Sequence, residues 1–285
     1  MQNWRQFEPP GWGSLGADPP TDIGDLKRGL RRNFARRAGT YDRHAQVQRF
    51  MADELWARTL TVTRAPRRLL EIGCGTGYLT ALLRRHHPEA LIVAVDLDRV
   101  LLQMARRRLG MDPRTALVMA DGEAWCRGRF DLIIANATFQ WFATPAEALA
   151  NLRQSLASDG LLAFSTLGPG TFQQLAQSLA AAALRLGREP LQIPASRFLG
   201  QEDWLTLLTA AGYRDITLET ASVTVNYPGV SQFLESLKST GATNPRPQPL
   251  SPRLYLALRQ TYQETFGVKD GIPATYDIIW ATARR

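Results

Sequence analysis

The sequence predicts an α/β fold built on a doubly wound, mainly parallel sheet, and three features of the chain support this. From Arg68 onward, short apolar segments alternate with amphipathic helical patterns, the order expected when helices cover both faces of a parallel sheet. The first apolar segment runs into three glycines on alternate positions. The second apolar segment ends in a carboxylate, Asp96. A fold of this kind places its ligand site beyond the carboxyl ends of the strands.

The residues before the predicted sheet divide into two parts. Residues 1–28 are rich in proline, glycine and tryptophan and show no stable hydrophobic period. We therefore expect an N-terminal extension that is partly disordered. A helical pattern begins near Leu30, so residues 29–66 are predicted to form an N-terminal helical cap ahead of the first strand.

Five strands and three helices are predicted in the next part of the chain. The strands are placed at 68–72, 91–95, 115–120, 130–135 and 160–166. The helices between them are placed at 77–86, 98–109 and 145–157. The third helix has the clearest start, because Thr144 offers a cap, Pro145 suits the first turn and Glu147 is positioned to reach back. This spacing predicts a capping box at Thr144.

The alternation lapses after residue 170, where helical patterns dominate. Helices are predicted at 171–186, 203–210, 230–237 and 254–266, and strands at 216–227 and 276–281. Two helical insertions, about 171–212 and 228–272, therefore flank the sixth strand within a domain that spans 29–285. We expect these insertions to roof the ligand site, because that site lies beyond the carboxyl ends of the strands.

The glycine loop indicates the kind of ligand. Glycine lets the backbone turn sharply and approach a ligand where a Cβ would clash, and an acid that ends the second strand can accept both hydroxyls of a ribose. The spacing is Glu-x-Gly-x-Gly-x-Gly from Glu71 to Gly77. The dinucleotide fingerprint is instead Gly-x-Gly-x-x-Gly, which places a pyrophosphate on a helix N-terminus. The loop resembles that of the class I S-adenosylmethionine-dependent methyltransferases, which have a Rossmann-like fold and a ligand without phosphate.

This resemblance implies a methyltransferase domain with an antiparallel last strand, helical substrate caps and a defined set of cofactor-binding residues. In the family, the acid of the first strand helps to orient the methionine part of S-adenosylmethionine, and an acid with adjacent backbone after the third strand binds the adenine. The fourth strand ends at the edge of the methyl-transfer site. The residues implied to bind the cofactor are Glu71, Gly73, Gly75, Gly77, Asp96, Leu97, Asp121, Gly122, Glu123 and Asn136.

Composition and net charge limit which kinds of partner the protein can bind and where in the cell it is expected. The net charge of +8 favours an acidic partner, for which nucleic acid, an acidic carrier protein or merely a solvated arginine-rich surface remain open. The two cysteines form no redox-like pair and the three histidines show no ligand pattern, so no metal site is expected. No apolar segment has the length of a membrane span or a signal peptide. We therefore expect a cytoplasmic protein without a membrane partner.

The residues after the fourth strand bear on the methyl acceptor. Enzymes that methylate planar amide or base nitrogens tend to carry Asn/Asp-Pro-Pro-Tyr/Phe at this place, whereas this chain has Ala137-Thr138-Phe139-Gln140-Trp141-Phe142. The difference argues against a DNA adenine or a protein glutamine as the acceptor.

Five further segments carry a more specific resemblance: Tyr41–Gln48, Gln140–Trp141, Phe164–Leu167, Arg197–Leu199 and Ser236–Asn244. Together they resemble the malonyl-acyl-carrier-protein O-methyltransferases of early biotin synthesis, and the similarity covers about residues 30 to 285. The resemblance implies methyl transfer from S-adenosylmethionine to the free carboxylate of a malonyl thioester on acyl carrier protein, with no nucleic acid as partner. No general base is needed, because this carboxylate is already ionised at neutral pH.

The acceptor carboxylate needs cationic or hydroxyl partners once it is desolvated. Arg197 and Lys238 are the candidates because both lie in the predicted insertions, and an arginine can bind a carboxylate in bidentate fashion. Tyr41 is a further candidate, and Trp141 is expected to wall the thioester arm. The alternatives are solvated surface charges for the two cations and ordinary packing for the two aromatic residues.

Several alternatives for the activity stay open at this point. Another small-molecule methyltransferase, acting on a free dicarboxylic acid or a quinone precursor, is the nearest. An RNA methyltransferase and a non-catalytic S-adenosylmethionine-binding regulator belong to other classes. The sequence also leaves open whether the carrier is a protein or coenzyme A, and which oligomeric state the chain adopts.

Overall fold

The computed structural model describes residues 24, 27–29, 31–33, 42–63, 65–239 and 250–285. These residues fall into two compact units. The sheet unit consists of Ala45–Gly168, Leu199–Ala221 and Ile278–Arg285. The insertion unit consists of Pro169–Phe198, Ser222–Asp277 and the described part of Met1–His44. Among the described residues, no helix is long and apolar enough to cross a membrane.

One seven-stranded sheet has the strand order β3-β2-β1-β4-β5-β7-β6. The strands are β1 Arg68–Ile72, β2 Leu91–Asp96, β3 Thr115–Met119, β4 Phe130–Asn136, β5 Leu156–Leu167, β6 Arg214–Tyr227 and β7 Ile272–Arg284. Strands β1 to β5 pair in parallel, and β7 pairs with β5 in antiparallel orientation. The predicted α/β sheet with an antiparallel last strand is therefore confirmed.

Helices connect and flank the strands as the hydrophobic periods predict. They are α1 Gln46–Val62, α2 Tyr78–His86, α3 Arg99–Leu109, α4 Pro145–Ser155, α5 Gln173–Arg185, α6 Gln201–Ala210, α7 Val230–Ser239 and α8 Pro252–Phe266. The predicted bounds differ from the structure most at two places. Helix α4 ends at Ser155 instead of 157 and β5 begins at Leu156 instead of 160, and β7 runs over Ile272–Arg284 instead of 276–281. The early start of β5 arises because Leu156 pairs with Phe130 ahead of a bulge in the β4–β5 register.

The start of α4 differs from the predicted capping box. Thr144 stands at the N-cap and Pro145 in the first turn, but the Thr144 side chain makes no cap hydrogen bond. Its hydroxyl instead donates to Glu123 Oε1 over 3.0 Å, and its backbone N–H donates to the same oxygen. Glu123 is 4% exposed and comes from the loop after β3. A buried carboxylate distant in sequence thus takes the place that Glu147 was predicted to fill.

An aromatic cluster holds the carboxyl end of β4 in the sheet unit. Phe139 stacks on Phe164 of β5 with ring centroids 4.4 Å apart, and Trp204 of α6 lies 5.1 Å from Phe164. All three side chains are 1% exposed or less. Burying aromatic side chains of this size stabilises the fold by about 2–3 kcal/mol each. The segment that follows β4 is therefore anchored from within the core.

Helix α1 is fastened to the sheet through Trp280 of β7. The indole N–H of Trp280 donates to the carbonyl of Met51 over 3.1 Å. The Arg58 guanidinium lies 4.4 Å above the Trp280 ring and forms an ion pair with Glu219 at 3.0 Å. Hydrogen bonding, cation–π contact and charge pairing act together at this place. The position of α1 on the sheet unit is therefore strongly determined.

The insertion unit has its own aromatic core. Phe172, Tyr227, Phe233, Tyr262 and Tyr276 form it. The hydroxyls of Tyr227 and Tyr276 share a hydrogen bond of 3.0 Å, and Phe172 and Phe233 meet edge to face at 5.3 Å. Helix α6, which the sequence places in the first insertion, belongs to the sheet unit. The domain limits drawn from the sequence stay predictions.

Candidate functional site

The glycine loop joins β1 to α2 at the carboxyl edge of the sheet. Gly73, Gly75 and Gly77 have φ angles of +72°, +54° and +81°, a region that other residues rarely adopt. A Cβ on Gly73 would overlap the side chain of Thr138, and one on Gly77 would lie 3.0 Å from the Cβ of Ala105. At Gly75 a Cβ would meet no described atom within 4 Å. Gly75 therefore keeps an open side on which a ligand can approach the backbone.

Asp96, at the end of β2, holds this loop in place. Its Oδ2 accepts from the Gly75 N–H and its Oδ1 from the Asp98 N–H, both over 2.8 Å. Burial raises the pKa of Asp96 to about 6, and these backbone hydrogen bonds oppose the rise. Each carboxylate oxygen can accept a second hydrogen bond. Asp96 can therefore hold the loop and still accept a ribose hydroxyl, while Leu97 beside it is half-buried.

Asp98 is a supporting residue that the sequence analysis missed. It is 3% exposed and caps α3, because its Oδ1 accepts from the backbone N–H groups of Val100 and Leu101 over 2.7 and 3.1 Å. The sequence signal was present, since an aspartate directly before an amphipathic period is a typical N-cap. Capping α3 fixes the helix that follows Asp96, the acid predicted to bind the ribose.

Glu71 lies within β1 beneath the glycine loop and is 2% exposed. Its Oε2 accepts a hydrogen bond of 2.6 Å from the hydroxyl of Thr80, which is also buried. Burial raises the pKa of Glu71 to about 8, the Thr80 hydrogen bond lowers it, and the charge of Asp96 raises it further. In the part of the chain that the structure describes, Glu71 forms no ion pair. A buried carboxylate of this kind suits a ligand that brings its own cation.

The turn after β3 contains the three residues predicted to bind adenine. Asp121 Oδ1 accepts from the Glu123 N–H over 3.0 Å and shapes the turn. A Cβ on Gly122 would overlap the side chain of Ile72, so only glycine lets the turn pack against β1. Asp121 and Gly122 therefore lie near the glycine loop. The carboxylate of Glu123 is directed instead at Thr144, as described above.

Asn136 ends β4, and its amide makes a hydrogen bond at each end. Its Nδ2 donates to the carbonyl of Gln48 on α1 over 2.9 Å, and its Oδ1 accepts from Ser165 Oγ over 2.6 Å. Asn136 thus ties α1 and β5 to the carboxyl edge of the sheet. Neither partner has a local sequence signal, because Gln48 and Ser165 are 88 and 29 residues away.

Gln140, four residues after Asn136, also uses both ends of its side-chain amide in hydrogen bonds within the protein. Its Nε2 donates to the carbonyl of Ala137 over 2.8 Å, and its Oε1 accepts from Thr166 Oγ1 over 3.1 Å. Ala137 has a φ of +49°, a strained value for alanine. The Gln140 side chain therefore braces the strained turn and positions the neighbouring Trp141, which is half-buried at the end of a short 3-10 helix.

The predicted substrate-binding residues are distributed over both units. Arg197 is exposed at the end of the 3-10 helix Pro194–Arg197, and Lys238 is half-buried in the last turn of α7. Both belong to the insertion unit, whereas Trp141 belongs to the sheet unit. Tyr41 lies outside the described residues.

Metal ligation is not indicated in the ranges that the structure covers. No group of three or more histidine, cysteine or acidic side chains is close enough there to hold a metal ion. His86 and His87 both pack against Trp56, with ring centroids 5.2 Å away.

The chain is similar in sequence to known methyltransferases. A family model described as a methyltransferase domain matches residues 41–218. The malonyl-[acyl-carrier protein] O-methyltransferase of Halalkalibacterium halodurans is 36% identical over 269 residues, covering 89% of this chain and 97% of the relative. The proteins of that name from Anoxybacillus flavithermus and Geobacter sulfurreducens are 38% and 35% identical, covering 89% and 91% of this chain and 96% and 99% of the relatives.

Solved structures show the same fold at low identity. The YcgJ protein of Bacillus subtilis matches with a TM-score of 0.57 at 14% identity, over 82% of this chain and 98% of that one. The plantazolicin methyltransferase BpumL, solved in complex with SAH, matches with a TM-score of 0.51 at 16% identity, over 92% of this chain and 97% of that one. At such identities the likeness concerns the fold alone.

Proposed function

The chain belongs to the malonyl-[acyl-carrier protein] O-methyltransferase family, and from this premise we propose that it methylates the free carboxylate of a malonyl thioester on acyl carrier protein. It is an S-adenosylmethionine-dependent methyltransferase. The observation that carries the proposal is similarity at 35% to 38% identity over nearly the whole length of relatives with this name. The product is the malonyl methyl ester used in biotin synthesis.

The cofactor supplies an electrophilic methyl group on a sulfonium sulfur. Residues in and around the glycine loop suit the ribose, the methionine end and the adenine of this cofactor. The open side of Gly75 leaves room for the ligand to approach the backbone. Asp96 has acceptor capacity for the ribose, and the buried Glu71 suits the ammonium of the methionine end. Asp121 and Gly122 form the turn that we assign to the adenine. Gly73, Gly77, Leu97, Glu123 and Asn136 complete the proposed cofactor site.

The acceptor places different demands on the chain. A malonyl carboxylate is ionised at neutral pH, so the protein has to position and desolvate it and does not have to deprotonate it. We assign the pairing of that carboxylate to Arg197 and Lys238, with Tyr41 as a hydroxyl donor. Trp141 walls the thioester arm. Excluding water strengthens each of these interactions.

The proposed partner is the acyl carrier protein itself. Carrier proteins of this class are acidic, and the net charge of +8 favours their approach. We propose no nucleic acid and no membrane as partners, and a cytoplasmic location. Malonyl coenzyme A is the closest alternative substrate.

A comparison of acceptors tests the function. The enzyme is incubated with methyl-labelled S-adenosylmethionine and, in separate reactions, malonyl carrier protein, malonyl coenzyme A, free malonate, a quinone precursor or bulk RNA. We expect a base-labile methyl ester, formed fastest on the carrier protein. A larger kcat/KM for coenzyme A would reassign the carrier, and label on RNA or the quinone precursor alone would reject a carboxylate acceptor. If no acceptor were methylated while SAH bound tightly, the protein would be a regulator.

A further inference from the structure

The contact between Thr80 and Glu71 joins α2 to the strand beneath the glycine loop. Helix α2 begins at Tyr78, directly after the left-handed Gly77, so Thr80 lies in its first turn and faces β1. The Thr80 hydroxyl donates to Glu71 Oε2 over 2.6 Å. The two side chains are 0% and 2% exposed, so water does not compete for this hydrogen bond.

Among the described residues, the surroundings of Glu71 contain further acidic groups and no counter-charge. Asp96 on β2 and Cys74 in the glycine loop both interact electrostatically with the Glu71 carboxylate. Burial, and then the charges of Glu71 and Asp96, raise the pKa of Cys74 well above its ordinary value, so the thiol stays neutral. Among the residues that the structure describes, only Thr80 donates a hydrogen bond to Glu71, and it uses Oε2. The other oxygen, Oε1, is left for a ligand.

We propose that Thr80 is a positioning residue for cofactor binding, whose hydroxyl fixes Glu71 through Oε2 and leaves Oε1 to the ammonium at the amino-acid end of S-adenosylmethionine. This inference rests on the role proposed above for Glu71. Without the hydroxyl, the carboxylate would lose the one hydrogen bond that the described residues donate to it, in a buried and acidic environment.

A second consequence concerns the charge on Glu71. Burial and Asp96 raise the pKa of Glu71 to about 8, against the lowering effect of Thr80. Only ionised Glu71 attracts an ammonium group, so cofactor affinity should fall about tenfold for each pH unit below 8. Asp96, with a pKa of about 6, stays ionised over most of this interval and adds its own loss only at lower pH. At higher pH the amine of the ligand itself loses its proton, so affinity should pass through a maximum.

Calorimetric titration with SAH across pH 5.5 to 9.5 tests the proposal, because SAH carries the same amino-acid end and no reaction occurs. Thr80→Val keeps the shape and removes the hydroxyl, whereas Thr80→Ser keeps the hydroxyl. A hydrogen bond to a charged group is worth about one pKa unit or more, so Thr80→Val should bind SAH roughly tenfold more weakly at pH 7. The difference should shrink to within about twofold at pH 9.5, where Glu71 is ionised in both proteins. Thr80→Ser should behave as the wild type.

The outcomes separate the inference from the function on which it rests. If Thr80→Val bound SAH more weakly by the same factor at every pH, Thr80 would have a structural role only and the proposal would be overturned. Wild-type affinity of Thr80→Val for SAH at pH 7 would also overturn it. Glu71→Gln should bind weakly and without the fall in affinity between pH 8 and pH 6, so that only the loss due to Asp96 at lower pH remains. If Glu71→Gln bound as the wild type does, the assigned role of Glu71 would fall, whatever Thr80 does. Should Thr80→Val not fold, as judged by its circular dichroism and melting temperature, Thr80→Ala removes the same hydroxyl and enters the same comparison.

Discussion

Residues at the carboxyl edge of the sheet fall into two groups, those with free space or a free acceptor and those whose side chains are hydrogen-bonded within the protein. Gly75 leaves open space beside the glycine loop, and Glu71 has one carboxylate oxygen, Oε1, to which no described residue donates a hydrogen bond. Asn136 and Gln140 instead use both ends of their amides inside the protein, on α1, the Ala137 turn and the two hydroxyls of β5. We propose that residues of the first group contact the cofactor, whereas those of the second group hold the surrounding elements in place.

Replacing Gly75 by alanine should weaken cofactor binding more than folding. The new Cβ would enter the open space beside the loop, and the φ of +54° adds strain of about 1 kcal/mol. Gly187 is a matched control, because its φ is +64° and a Cβ there would also meet nothing within 4 Å of the described chain. We expect both variants to lose similar stability by calorimetry, and only Gly75→Ala to lose SAH affinity, by tenfold or more. Similar SAH affinities in the two variants would contradict this prediction.

Replacing Arg197 by alanine should raise the KM for malonyl carrier protein about tenfold or more and leave the SAH dissociation constant within twofold. The reason is the loss of a charge-assisted, bidentate partner for the substrate carboxylate. Arg253→Ala is the control, since Arg253 is an exposed arginine of the same unit and its removal changes the net charge equally. Steady-state kinetics and calorimetry measure the two quantities. Equal losses for substrate and cofactor would remove the role assigned to Arg197.

Helices and strands that are determined by consecutive residues were predicted well, whereas features that depend on residues distant in sequence were not. The strand β1, the glycine turn and α2 follow from consecutive residues, and their predicted limits match the structure closely. The start of α4 does not, because its cap comes from Glu123, 21 residues upstream. A pattern read along the chain favours the nearby Glu147 and cannot show that a tertiary partner has taken its place. The partners of Asn136 escaped prediction for the same reason.

The two glutamates near α4 should therefore differ in their effect on stability. Glu123→Ala removes a buried acceptor for the N–H and the hydroxyl of Thr144, and we expect a loss of about 1–3 kcal/mol in the free energy of unfolding. Glu147→Ala, at an exposed position of the first turn, should change it by less than about 0.5 kcal/mol. Urea denaturation of both variants measures the difference. A larger loss for Glu147→Ala would restore the predicted capping box.

At the scale of the whole molecule, the chain leaves the sheet unit after Gly168 and again after Ala221. The segment after Gly168 is held within the insertion unit by two hydrogen bonds. The Gly170 N–H donates to Asp277 over 3.0 Å, and the Phe172 N–H donates to the Thr275 carbonyl over 2.6 Å. The proposed cofactor residues thus belong to one unit and the proposed carboxylate-binding cations to the other. The alternating pattern of the sequence was enough to predict the sheet. In the helical insertions, the hydrophobic pattern predicts helices but does not show which of their side chains bind a ligand.

The net charge of the molecule predicts how its two ligands respond to salt. With a net charge of +8 and an acidic carrier as partner, long-range attraction should speed encounter at low ionic strength and be screened as the Debye length falls from about 10 Å at 0.1 M to about 3 Å at 1 M. We expect kcat/KM for malonyl carrier protein to fall roughly tenfold between 50 and 500 mM sodium chloride.

The carboxylates of Glu71 and Asp96, which we propose to bind the cofactor, are buried, so cofactor binding should respond to salt differently from carrier-protein binding. Glu71 and Asp96 are shielded from bulk ions, so the SAH dissociation constant should change by less than about twofold over the same range. Malonyl coenzyme A, which carries phosphates but no protein surface, should show a shallower dependence than the carrier protein. If carrier protein and coenzyme A declined in parallel, the attraction would act on the malonyl and phosphopantetheine parts alone. The acidic surface of the carrier would then have no role in recognition by this enzyme.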